Sequence, residues 1–436
     1  MKGFSKVLVL VLMAVLVVSC LMVGASAEAP KIRVLSFSGA LADAMDSMVE
    51  VYQKNTGVQM DVVKLDYDSL YAKALSLMKA GSTDFDLIMM DDSWFPAMAS
   101  EGHFVALDST FGYKTDPDIY KSSSDGGVWP PAEGQICPPA DKGKERHIYG
   151  VPVVGDLILF IVRKDILQAK HLPLPETIGD VLKIAKATYD PKKHIWGFVN
   201  RGQKTNPIGA DSLPLFWSMG ADFFDNNWNT ILDNKAGYQA AKTLFQLYKY
   251  APPGSASYNT SEQGMEFLSG RAVCGYTWPG DLSHDLENPK TSKVAGKLAW
   301  MMPPALTKGG KHITEIGEWL MVMPKYSKNQ KAAYDFLEWF MAKPQALKYA
   351  QLGGMPVRKS ILTDPQLAAE RPWYPAQATA FENGRLRYRT PLYFQIEDIF
   401  GTQLNKALAG QITSDQAIKE AAAQIRALVK KAGYVK

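Results

Sequence analysis

The chain has 436 residues, 47% hydrophobic and 21% charged, a balance that excludes general disorder and is ordinary for a folded soluble protein. Lys plus Arg number 48 against 44 for Asp plus Glu, and no concentrated basic patch argues for nucleic acid. The length exceeds what one compact core holds and suggests two lobes.

Residues 1–27 read as an export signal. Lys2 and Lys6 supply the positive start, Val7 to Val23 is apolar apart from Ser19, and Ala25-Ser26-Ala27 offers small residues to a peptidase. The apolar run is short for a membrane span, which needs about 20 residues. The mature chain is therefore expected in the periplasm. Val17-Val18-Ser19-Cys20 also fits a bacterial lipobox, so a lipid anchor through Cys20 is the alternative. Apolar Leu21-Met22-Val23, where a polar tether is usual, speaks against it.

Ile32 to Phe37 predicts a strand, and Ser38-Gly39 turns it into a helix with Leu41, Met45, Met48, Val49 and Tyr52 at helical spacing, ended by Gly57. Val58 to Leu65 is a second strand. Leu70, Ala74, Leu77 and Met78 mark a helix closed by Gly81. Asp86 to Met90 is a buried-type strand that runs into Asp91-Asp92-Ser93-Trp94. This order predicts an α/β domain with a mainly parallel sheet. Ligands of such sheets bind beyond the C-terminal strand ends, which makes Ser38, Gly39, Asp91, Asp92 and Trp94 candidates. Ser38 and Gly39 can offer backbone N–H groups at a helix start, or only make a turn.

Residues 109–147 are rich in Ser, Gly, Pro, Asp and Lys and predict a long surface loop. Val153 to Val162 reads as one strand long enough to pass between lobes, with Asp156 a weaker candidate on it. Trp196 to Val199 is a strand ahead of Asn200 and Arg201. Met265 to Leu268 closes a helix at Gly270, and Ala272 to Thr277 delivers Trp278-Pro279-Gly280-Asp281. Lys297 to Met302 is a further strand, and Trp319 to Met323 another. From Lys328 the pattern is mostly helical, with Ile418, Ala421, Ile425 and Leu428 as the last stripe.

Many Trp and Tyr sit beside Pro, Gly, Asp or Asn. Core filling is the default for any one of them, yet an aromatic face also packs on the C–H face of a sugar while Asp, Asn, Glu and Arg bond its hydroxyls. Trp278 is the strongest candidate, because Pro279-Gly280 ends its strand and exposes the indole. Asp281 either bonds hydroxyls or caps the next helix. Glu318 and Trp319 follow Gly317 where the chain should cross between lobes; the carboxylate serves a ligand or a hinge salt bridge.

Enzyme signatures are weak. A glycosidase needs two placed carboxylates, and no motif singles out a pair among Asp92, Asp281 and Glu318. Gly-x-Ser-x-Gly and His-Glu-x-x-His do not occur, and the six His lack metal-ligand spacing. Asp225-Asn226-Asn227-Trp228-Asn229 echoes a calcium loop, but Thr230 and Ala236 replace the required Gly and Glu, so a turn is expected. Cys137 and Cys274 can pair in an oxidising compartment, although spacing gives no geometry. No catalytic residue, metal or cofactor is expected.

Several segments together resemble the extracellular solute-binding proteins of ABC importers, in the carbohydrate-binding family that includes maltose-binding protein. They are Phe85-Asp86-Leu87-Ile88; Tyr149-Gly150-Val151-Pro152 with Arg163-Lys164-Asp165; Phe267-Leu268-Ser269-Gly270-Arg271-Ala272-Val273 with Trp278-Pro279-Gly280-Asp281; and Met323 to Asn329 with Ala332-Ala333 and Phe336-Leu337. The resemblance implies a two-lobed periplasmic-binding-protein fold with mainly parallel sheets and a hinged cleft. It divides the chain into an N-terminal lobe of 31–153 plus 304–345 and a C-terminal lobe of 154–303 plus 346–436. It puts Cys137 and Cys274 in different lobes, where a disulfide would oppose opening. It adds Gly354, Met355 and Arg358 as a cleft-border loop. It implies a monomer that captures a sugar, polyol or short oligosaccharide by hinge closure and delivers it to a membrane permease, without nucleic acid. A secreted glycosidase and a chemoreceptor-coupled sugar sensor are the alternatives. Phe160-Ile161-Val162 departs from the family pattern ahead of Lys164-Asp165, as does the long 109–147 loop.

Overall fold

The computed structural model describes residues 31–436; the predicted export signal and Cys20 lie outside the described residues. The chain begins with β1 (Lys31–Phe37), α1 (Ala40–Thr56), β2 (Gln59–Leu65), α2 (Tyr67–Ala80) and β3 (Leu87–Asp91). Then come β4 (Gly150–Val154), β5 (Leu159–Arg163), β6 (Trp196–Phe198), α3 (Asn206–Ser218), α4 (Thr260–Leu268), β7 (Ala272–Thr277), α5 (Pro279–Leu286), β8 (Leu298–Met301) and β9 (Trp319–Val322). Helices α6 (Tyr393–Leu408) and α7 (Ser414–Lys431) close the chain.

Local chemistry explains these boundaries. Gly57 and Gly81 end α1 and α2 at φ of 76° and 62°, a left-handed conformation that glycine adopts without a Cβ penalty. Asp66 opens α2 by accepting the Ser69 N–H at 3.0 Å. Leu70, Ala74, Leu77 and Met78 form the buried stripe of that helix.

Two sheets result. The first runs β2-β1-β3-β9-β4, with β1 parallel to β2 and β3, and β9 antiparallel to both its neighbours. The second runs β8-β5-β7-β6, with β7 parallel to β6, and β5 antiparallel to β7 and β8. In each sheet one interior strand opposes the others: β9 in the first, β5 in the second. Each follows a passage of the chain from the other lobe. The sheets are thus mixed, and the parallel sense is kept by the remaining strands.

The strand predicted over Val153 to Val162 is broken. β4 stops at Val154, and β5 starts at Leu159. At the break the Gly155 N–H donates to the Met355 carbonyl at 2.8 Å, and Asp156 Oδ1 accepts the Leu157 N–H at 2.9 Å. The 109–147 segment is more than a surface loop. It buries Ile119, Tyr120 and Trp129, and Val128–Trp129 pairs with His147–Ile148.

Segment 346–386 packs with the first sheet. Tyr349, Met355, Val357, Trp373, Tyr374 and Phe381 share its core. The Tyr120 N–H donates to the Val357 carbonyl at 3.1 Å, and Arg358 pairs with Asp116 at 2.7 Å. The division read from sequence gave all of 346–436 to the second lobe; we place the return near Arg385 instead. Helix α6 then packs against α3, and α7 packs against α6.

Cys137 and Cys274 are both free thiols. Asp225 forms the expected turn, its carboxylate accepting the N–H groups of Asn227 at 2.8 Å and Asn229 at 3.0 Å.

Candidate functional site

A cavity of about 710 Å³ lies between the two lobes. One wall carries Phe37, Gly39, Tyr67 and Asp91 from the ends of the first sheet. The facing wall carries Arg201, Asn206, Thr260, Trp278, Asp281 and Glu397. Asp156, Gly317 and Trp319, from the crossing segments, join Arg387 between them.

Trp278 ends β7, and Pro279 at the first position of α5 stops the strand there. Its indole is 7% exposed. Nε1 donates to Asp211 Oδ1 at 3.0 Å, and the guanidinium carbons of Arg387 and Arg201 lie 5.5 and 5.8 Å from the ring centre. Gly317 lies against this ring: a Cβ there would sit 2.5 Å from Trp278 Cη2, so only glycine lets the crossing segment pass. Trp278 is a wall of the cavity, more enclosed than its loop position predicts.

Arg387 is the electrostatic centre. Its Nη1 donates to Asp91 Oδ1 at 2.6 Å and Asp92 Oδ1 at 2.9 Å, and Nε bonds Glu315. Arg389 donates to Asp92 Oδ2 at 3.1 Å and to the Gly126 carbonyl. Arg385 pairs with Asp222 at 2.5 Å. Burial pushes the Asp92 carboxyl up to about 7 and that of Glu315 up to about 8, with Arg387 opposing both shifts. Burial also works against the charge on Arg387, but Asp91, Glu315 and Asp92 outweigh it and hold the guanidinium firmly protonated.

Three further enclosed carboxyls face the cavity, with Asp68, Asp285 and Asp398 exposed at its rim. Asp156 Oδ1 accepts the Leu157 N–H at 2.9 Å and the Gly280 N–H at 3.1 Å, and burial raises its carboxyl well above the usual range. Burial raises Asp281 to about 6, with Arg201 opposing. Glu397, also raised by burial, accepts the Asn206 amide at 3.1 Å. Arg201 is held by Asp211 Oδ1 at 3.0 and 2.5 Å.

Of the positions singled out from sequence, Gly39, Asp91, Asp156, Arg201, Trp278, Asp281 and Trp319 line the cavity. The others lie elsewhere. Ser38 is exposed, and its N–H donates to the Leu65 carbonyl. Asp92 sits behind Asp91 between two arginines. Trp94 is fully buried, packing on Tyr67 at 4.6 Å and Tyr71 at 5.2 Å. Asn200 is buried and accepts the Tyr276 N–H at 3.0 Å. Glu318 is buried against the Gly126 backbone. Gly354 and Met355 abut Tyr349 and Gly155. Arg358 is bound to Asp116, Asp118 and the Met341 carbonyl.

Arg387, Glu397 and Asn206 were missed. The alternation Arg385-Leu386-Arg387-Tyr388-Arg389 puts three arginines on one side of an extended segment, a signal that was available. Glu397 sits on an amphipathic helix, where a carboxylate ordinarily reads as surface.

A model of the bacterial extracellular solute-binding protein family matches residues 38–346. The chain belongs to that family. This solute-binding protein is 25% identical over 415 residues to a Sinorhizobium fredii protein described as a probable amino-acid ABC transporter periplasmic-binding protein, covering 93% of this chain and 91% of that one. It is 25% identical to the mannitol-binding protein of Pseudomonas aeruginosa, over 66% of this chain and 71% of that one. Its fold matches an ABC transporter solute-binding protein from Agrobacterium radiobacter, solved in complex with ribitol, with a TM-score of 0.81 and 28% identity over 92% of this chain and 98% of that one. The two-lobed architecture is thus that of the periplasmic binding proteins. Among the described residues no group of His, Cys, Asp and Glu is arranged to hold a metal ion, and no helix is long and apolar enough to cross a membrane.

Proposed function

We propose that this solute-binding protein captures a sugar, sugar alcohol or short oligosaccharide outside the cytoplasm and hands it, unaltered, to the permease of an ABC importer. The cavity carries this reading: carboxyl, guanidinium, amide and aromatic groups converge on it from both lobes and from the crossing segments. Hydroxyls on successive carbons need such a ring of donors and acceptors, and Phe37 offers an apolar surface to C–H groups. Contacts to both lobes at once favour the closed state by differential affinity, which is how ligand becomes closure. The closed form then presents both lobes to a permease as a monomer, with no cofactor and no nucleic acid involved.

The amino-acid description of one relative points to a different solute. A free amino acid needs a cation for its carboxylate, and both buried guanidinium groups at the cavity are already paired. That favours polyhydroxy solutes. A thermal-shift panel of sugars, alditols, short oligosaccharides and amino acids tests the reading, because a tight ligand raises the melting temperature by mass action. A shift with amino acids alone would overturn it.

A further inference from the structure

The cavity holds more negative than positive groups, and its internal pairings do not balance them. Arg387 is taken by Asp91, Asp92 and Glu315, and Arg201 by Asp211. Asp156, Asp281 and Glu397 remain among the enclosed carboxyls; Asp68, Asp285 and Asp398 also line the cavity but are exposed. None of the three enclosed carboxyls has a Lys or Arg nitrogen within salt-bridge distance among the described residues. Asp156 and Glu397 are each 2% exposed. Asp156 has backbone partners on Oδ1 alone, and Glu397 Oε1 has no partner. Lys204 lines the rim but is exposed.

We propose that the solute is a polyhydroxy compound carrying a protonated amine, an amino sugar or amino alditol, whose ammonium pairs within the set of enclosed carboxyls Asp156, Asp281 and Glu397. This rests on the reading of the cleft as a site for polyhydroxy solutes. The physical argument is charge compensation. Closing the lobes over a neutral polyol seals three carboxyls away from water with no cation in direct contact, which favours their protonated form. An ammonium supplies three N–H donors and one positive charge, which balances one ionised carboxylate while the other carboxyls keep their protons. An acid-bearing solute would add to the imbalance. The hydroxyls find separate donors: Arg201 Nη1 and Arg387 Nη2 donate to none of the described atoms, and Asn206 lies beside Glu397. Burial holds all three carboxyls toward the protonated form in the empty protein, so an arriving ammonium expels a proton as it binds. The charged groups facing Asp281 are Arg201 and Asp211, those facing Asp156 are Asp281 and Arg201, and those facing Glu397 are Arg387, Asp91 and Arg201.

Calorimetry at pH 6, with matched pairs, tests this on the mature protein. The pairs are glucosamine against glucose and 1-amino-1-deoxysorbitol against sorbitol, each in two buffers of different ionisation heat. At least one aminated member is expected to bind tenfold or more tightly than its neutral partner, with proton release seen as a buffer-dependent heat. Affinity for the amine should rise as pH increases from 5 to 7. Glu397→Gln should weaken amine binding about tenfold and reduce the protons released; Asp156→Asn is the second variant should the first fail to fold. Neutral members binding as tightly as their aminated partners, or neither amine binding, would overturn the proposal while any polyol binding leaves the function reading intact. Absence of binding by every sugar and polyol would remove that reading too.

Discussion

Tyr71 and Phe394 stack at 4.4 Å with their rings 27° apart, and they come from opposite walls of the cleft. Tyr71 is on α2 beneath the first sheet; Phe394 opens α6, one turn before Glu397. The stack exists only while the lobes are together. Closure and the placement of a cavity carboxyl therefore share one helix.

Loss of this stack should favour opening. Phe394→Ala is expected to weaken solute binding about three- to tenfold, near 1 kcal/mol, as is Tyr71→Ala. The double variant should be little worse than either single one, because the two act through one contact. Calorimetry of the four proteins checks this, and fully additive losses would deny the coupling.

Arg387 should be the costliest single position. Arg387→Leu leaves Asp91 and Glu315 buried without their cation and Asp92 with Arg389 alone. A loss of about 3–5 kcal/mol in urea unfolding is expected. A loss under 1 kcal/mol would mean that the ion pairs contribute nothing net.

Stability should fall as pH rises. Glu315 moves from 4.5 to about 8 on folding, and Asp92 from 3.8 to about 7. The folded state holds these protons more tightly, so it is favoured at low pH and loses that advantage as pH climbs from about 5 to 8. Each such group contributes a slope of up to about 1.4 kcal/mol per pH unit inside its window. Melting curves from pH 5 to 8.5 should show the decline, and Glu315→Gln should flatten it. A melting temperature that rises over this range would contradict these assignments.

Trp278→Ala should weaken solute binding more than tenfold. The same change empties a largely buried site, so a stability loss of about 3–5 kcal/mol accompanies it. Trp278→Phe separates the two effects: it keeps most of the packing but removes the N–H that Asp211 accepts. Unchanged affinity in both variants would take Trp278 out of the site.

How much the sequence reveals depends on what each signal encodes. Period-3.6 stripes and terminal glycines gave α1 and α2 to within a few residues, because local burial and backbone freedom decide them. Trp278 and Asp281 reach the cavity wall because their strand ends at Pro-Gly, although Trp278 is enclosed there and not exposed as the sequence suggests. Asp91 and Asp92 could not be ranked: the strand's alternation sends one to the cavity and the other behind it, and pattern alone does not say which. Glu318 was drawn in by its place in a crossing segment and Arg358 by likeness to a family cleft-border loop, yet Arg358 is spent on Asp116 and Asp118 from a distant loop. Arg387 and Glu397 reach the site from far along the chain. Their roles depend on tertiary pairing, which no local window contains.

The central claim is that a polyhydroxy solute is enclosed between lobes that move. Small-angle scattering of the purified protein, with and without the best stabiliser from the thermal-shift panel, tests it most directly. A smaller radius of gyration on saturation, with the solute recovered chemically unchanged, is the predicted result. Identical profiles across every sugar and alditol, with no heat of binding, would contradict the account, and so would turnover of any of them.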